Sequence, residues 1–466
     1  MPDAMAKLDS AGSAARGAHA VPLLRTLPGL LRDPLREIVR LADAAPDQVV
    51  RLNLGTLRPY LVTEPSHVQH VVRDNATNYV RGGDNLLWRP VRRLTGEGIM
   101  SDGPPWQDSR ARIQPHFTAK RIDGLVDSIS QAVSAAVDEF EEPARSGRWL
   151  DIGAELGRII CQGISSVFFA NRLSTADQLR IVAAQNRISA ALRGRLLLPF
   201  LPDAVPVPGD RTLRRSIEVV DSIMVPLVRA EREQPRDGDD LLASLARARD
   251  ADGRPLDERR VRGDVVSVFA TATETTYAVL TWLWPILDAH PQVARRLYAE
   301  LDEVVDPDAA VSREQLERLT YTRMITDELV RMYPAGWLLP RSAVADDEIG
   351  GTRIRAGDLV VISPYVTQRL ARHWDRPDVF DPERFAPDQP RRAHRYAFFP
   401  FGGGEHQCIG MHLFNQEAPL VIATILSRYR FRLRERGMPP KQLGAALRPG
   451  RPVMISLTRV SGRGRG

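Results

Sequence analysis

The chain has 466 residues, of which 43% are hydrophobic and only 6% aromatic, with a formal charge of +6 and two cysteines. That size and apolar content allow a large core, while two cysteines exclude a disulfide framework and a four-cysteine metal site. No apolar run reaches the roughly 18 residues of a membrane span. Basic and acidic residues are mixed throughout, with no basic stripe interleaved with aromatics, which sets nucleic-acid binding aside. A basic patch for docking an acidic redox protein stays open.

Residues 1–20 and the Gly/Arg tail 461–466 are expected to be disordered, which leaves residues 21–460 as one large domain without repeats or long linkers. The apolar patches in 20–31 are interrupted by Arg25 and Pro28 and lack a signal-peptide cleavage pattern, so a cytoplasmic chain with free cysteines is expected. Strand signals come first, at 48–54 and 59–63. Amphipathic periodicity then predicts helices over 122–140, 152–169, 176–193, 211–233, 258–289, 292–305 and 321–332. Strands return at 341–345, 352–355 and 359–363; a helix follows over 411–427, then strands at 428–433 and 452–458. Strands at both ends around a helical middle predict a mainly α protein with small β-sheets. No GxGxxG follows a strand, so a dinucleotide fold has no support.

The most informative segment is Phe401-Gly-Gly-Gly-Glu-His-Gln-Cys-Ile-Gly410, which places Cys408 after a glycine-rich loop and before a helix. A thiolate there would meet free N–H groups and the positive end of the helix dipole. Such a thiolate serves as a nucleophile or as an axial ligand to iron, and the loop alone leaves both open. Cys161 sits in an apolar helix and reads as core. His67 and His70 have no third ligand nearby and read as surface residues, and Asp346-Asp-Glu348 before Gly350-Gly351 reads as a hairpin turn.

Four patterns in fixed order resemble the cytochrome P450 family over roughly residues 30 to 460. The first is the cysteine loop, where Phe401, Gly404, His406, Cys408 and Gly410 match Phe-x-x-Gly-x-(Arg/His)-x-Cys-x-Gly. The resemblance implies haem b with Cys408 as its axial thiolate. The second is Glu328-Leu-Val-Arg331 with Arg384 of Phe380-Asp-Pro-Glu-Arg-Phe385, implying a buried charged triad that braces the loop. The third is Phe269-Ala-Thr-Ala-Thr-Glu-Thr-Thr276, in which Glu274 and Thr275 would relay protons. Thr271 and Ala272 depart from the family's usual small pair there. The fourth is Trp106-Gln-Asp-Ser-Arg110; Trp106, Arg110, Arg341 and His406 would hold the haem propionates.

The resemblance therefore implies a monooxygenase acting with dioxygen on a hydrophobic small molecule. Electrons would come from a separate ferredoxin or flavodoxin and its NAD(P)H-dependent reductase, because the segment after Cys408 is too short for a reductase domain. Expected substrate-pocket residues are Leu86, Leu87, Trp88, Phe269, Ala270, Thr271, Trp337, Leu338, Leu339, Ala445 and Ala446. The apolar walls, and the stretch from Pro334 to Arg341, resemble those of soluble bacterial enzymes that oxidise terpenes. A peroxide-driven or rearranging enzyme on a fatty acid, polyketide or steroid, a non-catalytic haem sensor and a cysteine-nucleophile hydrolase are the alternatives. The last would need a histidine partner that no motif supplies.

Overall fold

A computed structural model describes residues 19–20, 22–54, 57–81, 88–197, 205–250, 252–390 and 392–460. They form two compact units, one from the chain up to 85 with 338–377 and 392–407, the other from 86–337, 378–391 and 408 onward. Neither unit is a contiguous stretch of sequence; the chain passes between them at 85/86, 337/338, 377/378, 391/392 and 407/408. Of the segments expected to be disordered, 1–18 and 461–466 lie outside the described residues. His19–Ala20 instead form a short strand, because their backbone pairs in parallel with Val50–Arg51.

The first unit carries a six-stranded sheet in the order His19–Ala20, Val50–Arg51, Tyr60–Val62, Leu359–Ile362, Leu339–Ala343, Tyr79–Val80. Val62, Val360 and Ile362 of its β-branched strands pack with Val71 and Val72 of the helical segment His70–Asp74, and with Tyr79 and Tyr396, into one core. The expected hairpin is present as Asp347–Ile349 and Thr352–Ile354. Its two turn residues, Gly350 (φ 55°) and Gly351 (φ 78°), take the left-handed conformations that a two-residue turn needs.

His67 and His70 are half-buried rather than superficial. His67 packs against the Gly350 turn. The His70 ring lies 2.7 Å from Asp347 Oδ2, which also accepts hydrogen bonds from Tyr79 Oη (2.5 Å) and Asn75 Nδ2 (3.0 Å). Burial pushes this carboxyl up, but these bonds outweigh it and bring Asp347 down to about 2. The pair thus serves as hairpin packing, which two histidine symbols three apart do not reveal.

The second unit is helical. Its principal helices are Gly103–Ile113, Val126–Asp138, Ile152–Phe168, Thr175–Leu197, Asp210–Glu233, Glu258–Thr281, Pro291–Val304, Thr320–Met332 and Met411–Arg428. A three-stranded sheet runs Tyr429–Leu433, Met454–Arg459, Leu150–Asp151, and a small strand pair joins Lys441–Gln442 to Arg448–Pro449. Two expected helices are interrupted. The segment 122–140 breaks at Gly124–Leu125, and 258–289 breaks at Trp282 before a short helix Leu283–Ala289. The second break has a clear cause: Pro285 has no N–H to give to the Thr281 carbonyl. Asp257 starts the long helix by accepting from the N–H groups of Arg259 (2.8 Å) and Arg260 (3.3 Å). Among the described residues, no helix is long and apolar enough to cross a membrane.

One buried group makes this core pH-sensitive. Glu417, on Met411–Arg428, is fully buried, and neither carboxylate oxygen has a hydrogen-bond partner. Gly163 faces it, and Cys161 lies close enough to feel its charge. Burial raises the Glu417 pKa from an ordinary 4.5 to about 8. An unfolded chain ionises this group above about pH 4.5, whereas the folded chain keeps the proton until about pH 8. The folded state therefore binds more protons within that window. Its contribution to stability is complete below pH 4.5 and is lost as pH rises through about 8. The cost is on the order of a few kcal/mol. Thermal melts should show Glu417→Gln holding its stability from about pH 5 to 8 while the parent declines; equal declines in both would refute the effect.

Candidate functional site

Cys408 precedes Gly410, the N-cap residue of the helix Met411–Arg428, whose carbonyl accepts from Phe414 N at 2.9 Å. The sulfur is exposed, and a Cβ built on Gly410 would meet only Cys408 Sγ, at 3.9 Å. The thiol thus sits at a helix start with one face open. The loop preceding it belongs to the sheet-bearing unit. There Gly404 (φ 65°) presses on the Val72 carbonyl so closely that no side chain fits. Arg81 Nη2 donates to the His406 carbonyl at 3.2 Å. The same unit holds half-buried Phe401 and His406, and Arg341, which is buried on the strand Leu339–Ala343.

In the helical unit, Trp106 and Arg110 lie one turn apart on Gly103–Ile113, Trp106 buried and Arg110 half-buried. Burial lowers the Arg110 pKa, while a negative Cys408 opposes that shift, so the guanidinium and the sulfur act on each other. Cys161, by contrast, is buried, and its thiol is pushed up by that burial and then by Glu417. Of the two cysteines, Cys408 is therefore the one accessible at a helix start.

Glu274 and Thr275 lie on the long helix Glu258–Thr281. Its hydroxyls return to the preceding turn: Thr271 to Ser267 O (2.7 Å), Thr273 to Phe269 O (2.8 Å), Thr275 to Thr271 O (2.6 Å) and Thr276 to Ala272 O (3.1 Å). The helix stays α throughout, because each hydroxyl shares its carbonyl with the backbone bond. Thr271 and Thr275 are exposed one turn apart on one face. Glu274 is half-buried with Oε1 shut away from solvent. Burial raises its pKa, and the Arg448 guanidinium and then the Ser189 hydroxyl pull the other way.

The expected charged triad assembles within the helical unit. Arg331 grips Glu328 through Nε (2.6 Å) and Nη2 (2.8 Å), and both side chains have 0% exposure. Arg384 Nε is 3.5 Å from Glu328 Oε1, which also accepts from Asp381 N at 2.9 Å. The Val379 carbonyl takes a further bond from Arg331.

The residues expected to line a substrate pocket fall at several places in the structure. Leu86 and Leu87 lie outside the described residues, and Trp88 is half-buried. Phe269 is buried edge-to-face on Phe169, with centroids 5.2 Å apart, so it packs the core instead of lining a pocket. The helix turns it away from the face bearing Thr271 and Thr275. Ala270 and Ala446 are also buried. Trp337 donates from Nε1 to Gly444 O (3.0 Å), and Leu447 N donates to Ala335 O (3.1 Å), which joins the 335–337 turn to the exposed Ala445. Leu338 and Leu339, half-buried, belong to the sheet unit.

Sequence reading missed the surroundings of Glu274. Tyr277 donates to Asn186 Oδ1 (2.7 Å), and Arg448 donates to the same atom (2.9 Å). The available signal was Tyr277, three residues after Glu274 and on the same helix face.

This donor set fits haem. An ionisable, exposed sulfur at a helix start, a cation coupled to it and an exposed hydroxyl face all belong to one unit. No group of three or more His, Cys, Asp or Glu among the described residues could hold a metal ion by itself.

Comparison with known proteins agrees. A family model described as Cytochrome P450 matches residues 16–457. The chain is 31% identical over 418 residues to a cyclooctat-9-en-7-ol 5-monooxygenase of Streptomyces melanosporofaciens, covering 89% of this chain and 88% of that one. It is 27% identical over 448 residues to a pentalenene oxygenase of Streptomyces avermitilis, covering 95% and 97%. Among solved structures, the heme domain of cytochrome P450DA superposes with a TM-score of 0.79 at 21% identity, covering 96% and 98%, which supports the fold.

Proposed function

The chain belongs to the cytochrome P450 family and is a monooxygenase of that family, and from that membership we propose that it oxygenates a terpenoid, using electrons from a separate partner. The observation that carries the haem-thiolate reading is Cys408, exposed at a helix start with an open face beside its sulfur. Haem b, when bound, supplies the oxygen-activating iron, and thiolate ligation favours O–O cleavage. Within the helical unit, Cys408 would hold the iron and Trp106 and Arg110 a propionate, Arg110 through charge-assisted hydrogen bonds; Arg341 and His406 are further propionate contacts by the family resemblance alone.

Glu274 and Thr275 deliver protons in this reading. The Glu274 carboxyl takes a proton up and gives it over, and the Thr275 hydroxyl, anchored on Thr271 O, presents an exposed oxygen for the transfer. Glu328, Arg331 and Arg384 act structurally. One atom of dioxygen enters a C–H or C=C bond and the other leaves as water, which requires two electrons and two protons. The donor is a ferredoxin or flavodoxin served by an NAD(P)H-dependent reductase, in the bacterial cytoplasm. The terpenoid assignment is supported by the two Streptomyces relatives, named for a cyclic alcohol and for pentalenene, and by Trp337, whose Nε1 donates to the carbonyl of Gly444.

Optical titration tests the substrate class. Cyclic terpene hydrocarbons and their alcohols should shift the Soret band of the haem-loaded protein; a panel without any shift returns the substrate to fatty acids, polyketides or steroids. Glu274→Gln and Thr275→Ala should each lower product formed per NAD(P)H, the former by about 10²-fold, with hydrogen peroxide rising instead. Unchanged coupling in both would remove these residues from the proton path.

A further inference from the structure

Arg110 has a support that its own helix does not supply. Trp106, Ser109 and Ile113 form the buried face of Gly103–Ile113, and Arg110 follows Ser109, about 100° round the helix axis. The apolar contact of Ile113 and of the Trp106 ring is non-directional and leaves the rotation of the helix soft. Ser109 fixes it. Its side chain is fully buried. Its Oγ donates to Asp264 Oδ2 at 2.5 Å and accepts from Arg260 Nη2 at 3.0 Å and Arg260 Nε at 3.3 Å. The hydroxyl proton and both lone pairs are thereby engaged.

Asp264 and Arg260 sit one turn apart on the long helix Glu258–Thr281, in the same helical unit. Asp264 is 2% exposed, and its Oδ1 accepts from Ile99 N at 2.8 Å. Arg260 Nη2 also donates to the Pro105 carbonyl and to Asp108 Oδ2 (3.2 Å). The long helix thus grips Pro105, Asp108 and Ser109, the residues that flank Trp106 and Arg110. It also closes on the segment before them. Arg262 Nη1 donates to the Leu94 carbonyl. Gly98 lies so near Asp264 Oδ1, and Gly263 so near the Thr95 carbonyl, that neither position has room for a Cβ.

We propose that Asp264 is a positioning residue for haem binding: through Ser109 it fixes the rotation of Gly103–Ile113 and so aims the Arg110 guanidinium at the propionate. This rests on the reading of Arg110 as a propionate contact. Asp264 lies ten residues before Glu274 on one unbroken helix, about 15 Å along its axis. The bond to Ser109 therefore sets the anchor of the haem and the proton-delivering pair on one frame. The site needs a side chain that accepts at both oxygens. An amide at position 264 would keep an acceptor for Ile99 N but turn its own N–H groups toward Ser109 and the Arg260 guanidinium, donor against donor.

Transfer of haem from the loaded full chain to an excess of haem-free myoglobin reads the anchor. Asp264→Asn and Ser109→Ala should each release haem about tenfold faster. Both effects should vanish in an Arg110→Met background, because the contact through which they act is gone. A bond with a merely structural role would speed release equally with and without Arg110. That result, or unchanged release in both single variants, overturns the proposal. Should Asp264→Asn fail to fold, Ser109→Ala decides the matter. Arg110→Met by itself should also speed release. If it does not, the propionate reading fails, and hydrogen exchange over residues 103–113 of the loaded chain then separates the two questions. Faster exchange there in Asp264→Asn and Ser109→Ala upholds the support of Arg110 by Asp264, and unchanged exchange overturns it.

Discussion

Cys408→Ala is expected to lose the red-shifted Soret band of CO-bound, thiolate-ligated haem, and its monooxygenase turnover should fall to background. The sulfur is exposed at the start of Met411–Arg428, where the helix end favours its charge. The other cysteine cannot supply a thiolate in its place, because Cys161 is buried and its thiol is held protonated. Cys408→Ser is the sharper variant. It keeps the size and a hydroxyl donor, but an alcohol does not ionise near neutral pH, so it should also lose the band. Circular dichroism should show both variants folded, since the side chain is exposed. A variant that kept the thiolate spectrum and full turnover would overturn the ligand assignment.

Arg331→Met is expected to destabilise the protein by about 3–5 kcal/mol. Arg331 and Glu328 are completely buried and joined by two hydrogen bonds of 2.6 and 2.8 Å. Removing the arginine leaves a carboxylate in the core with Arg384 at 3.5 Å and one backbone donor, Asp381 N. That is a poor substitute for a bidentate guanidinium. A protein with a total stability of about 5–15 kcal/mol would lose a large share of it. Urea unfolding measures the loss directly. Glu328→Leu combined with Arg331→Met should cost less than the two single changes added together, because no unpaired charge then remains buried. A single Arg331→Met change costing under about 1 kcal/mol would show that the pair is dispensable.

Much of the fold was legible in advance because burial imposes a period on the sequence. The helices Ile152–Phe168, Asp210–Glu233 and Thr320–Met332 lie within a few residues of their expected limits, since each packs an apolar face. The break at Trp282 was also written in the chain, as Pro285, but periodicity continues across it and hides it. The fate of His67 and His70 was not legible. Their partners, the Gly350 turn and Asp347, lie more than 270 residues away along the chain.

The candidate site divides in the same way. Cys408 with its glycines, the Glu328–Arg331 spacing and the Glu274–Thr275 pair are short-range patterns, because a loop, one helical turn or adjacent residues suffices to set each relation. Residue order alone therefore identifies the chemistry: a thiolate to bind iron, a buried ion pair and an acid beside an alcohol. Which residues surround that chemistry is another matter. Phe269 faces Phe169 instead of a pocket because the helix rotates it there. Tyr277 and Arg448 meet on Asn186 Oδ1 because packing joins three elements that share no local pattern. Desolvation and the placement of opposing charge are properties of the assembled core, so the proton affinity of an acid is decided only when the chain has folded around it.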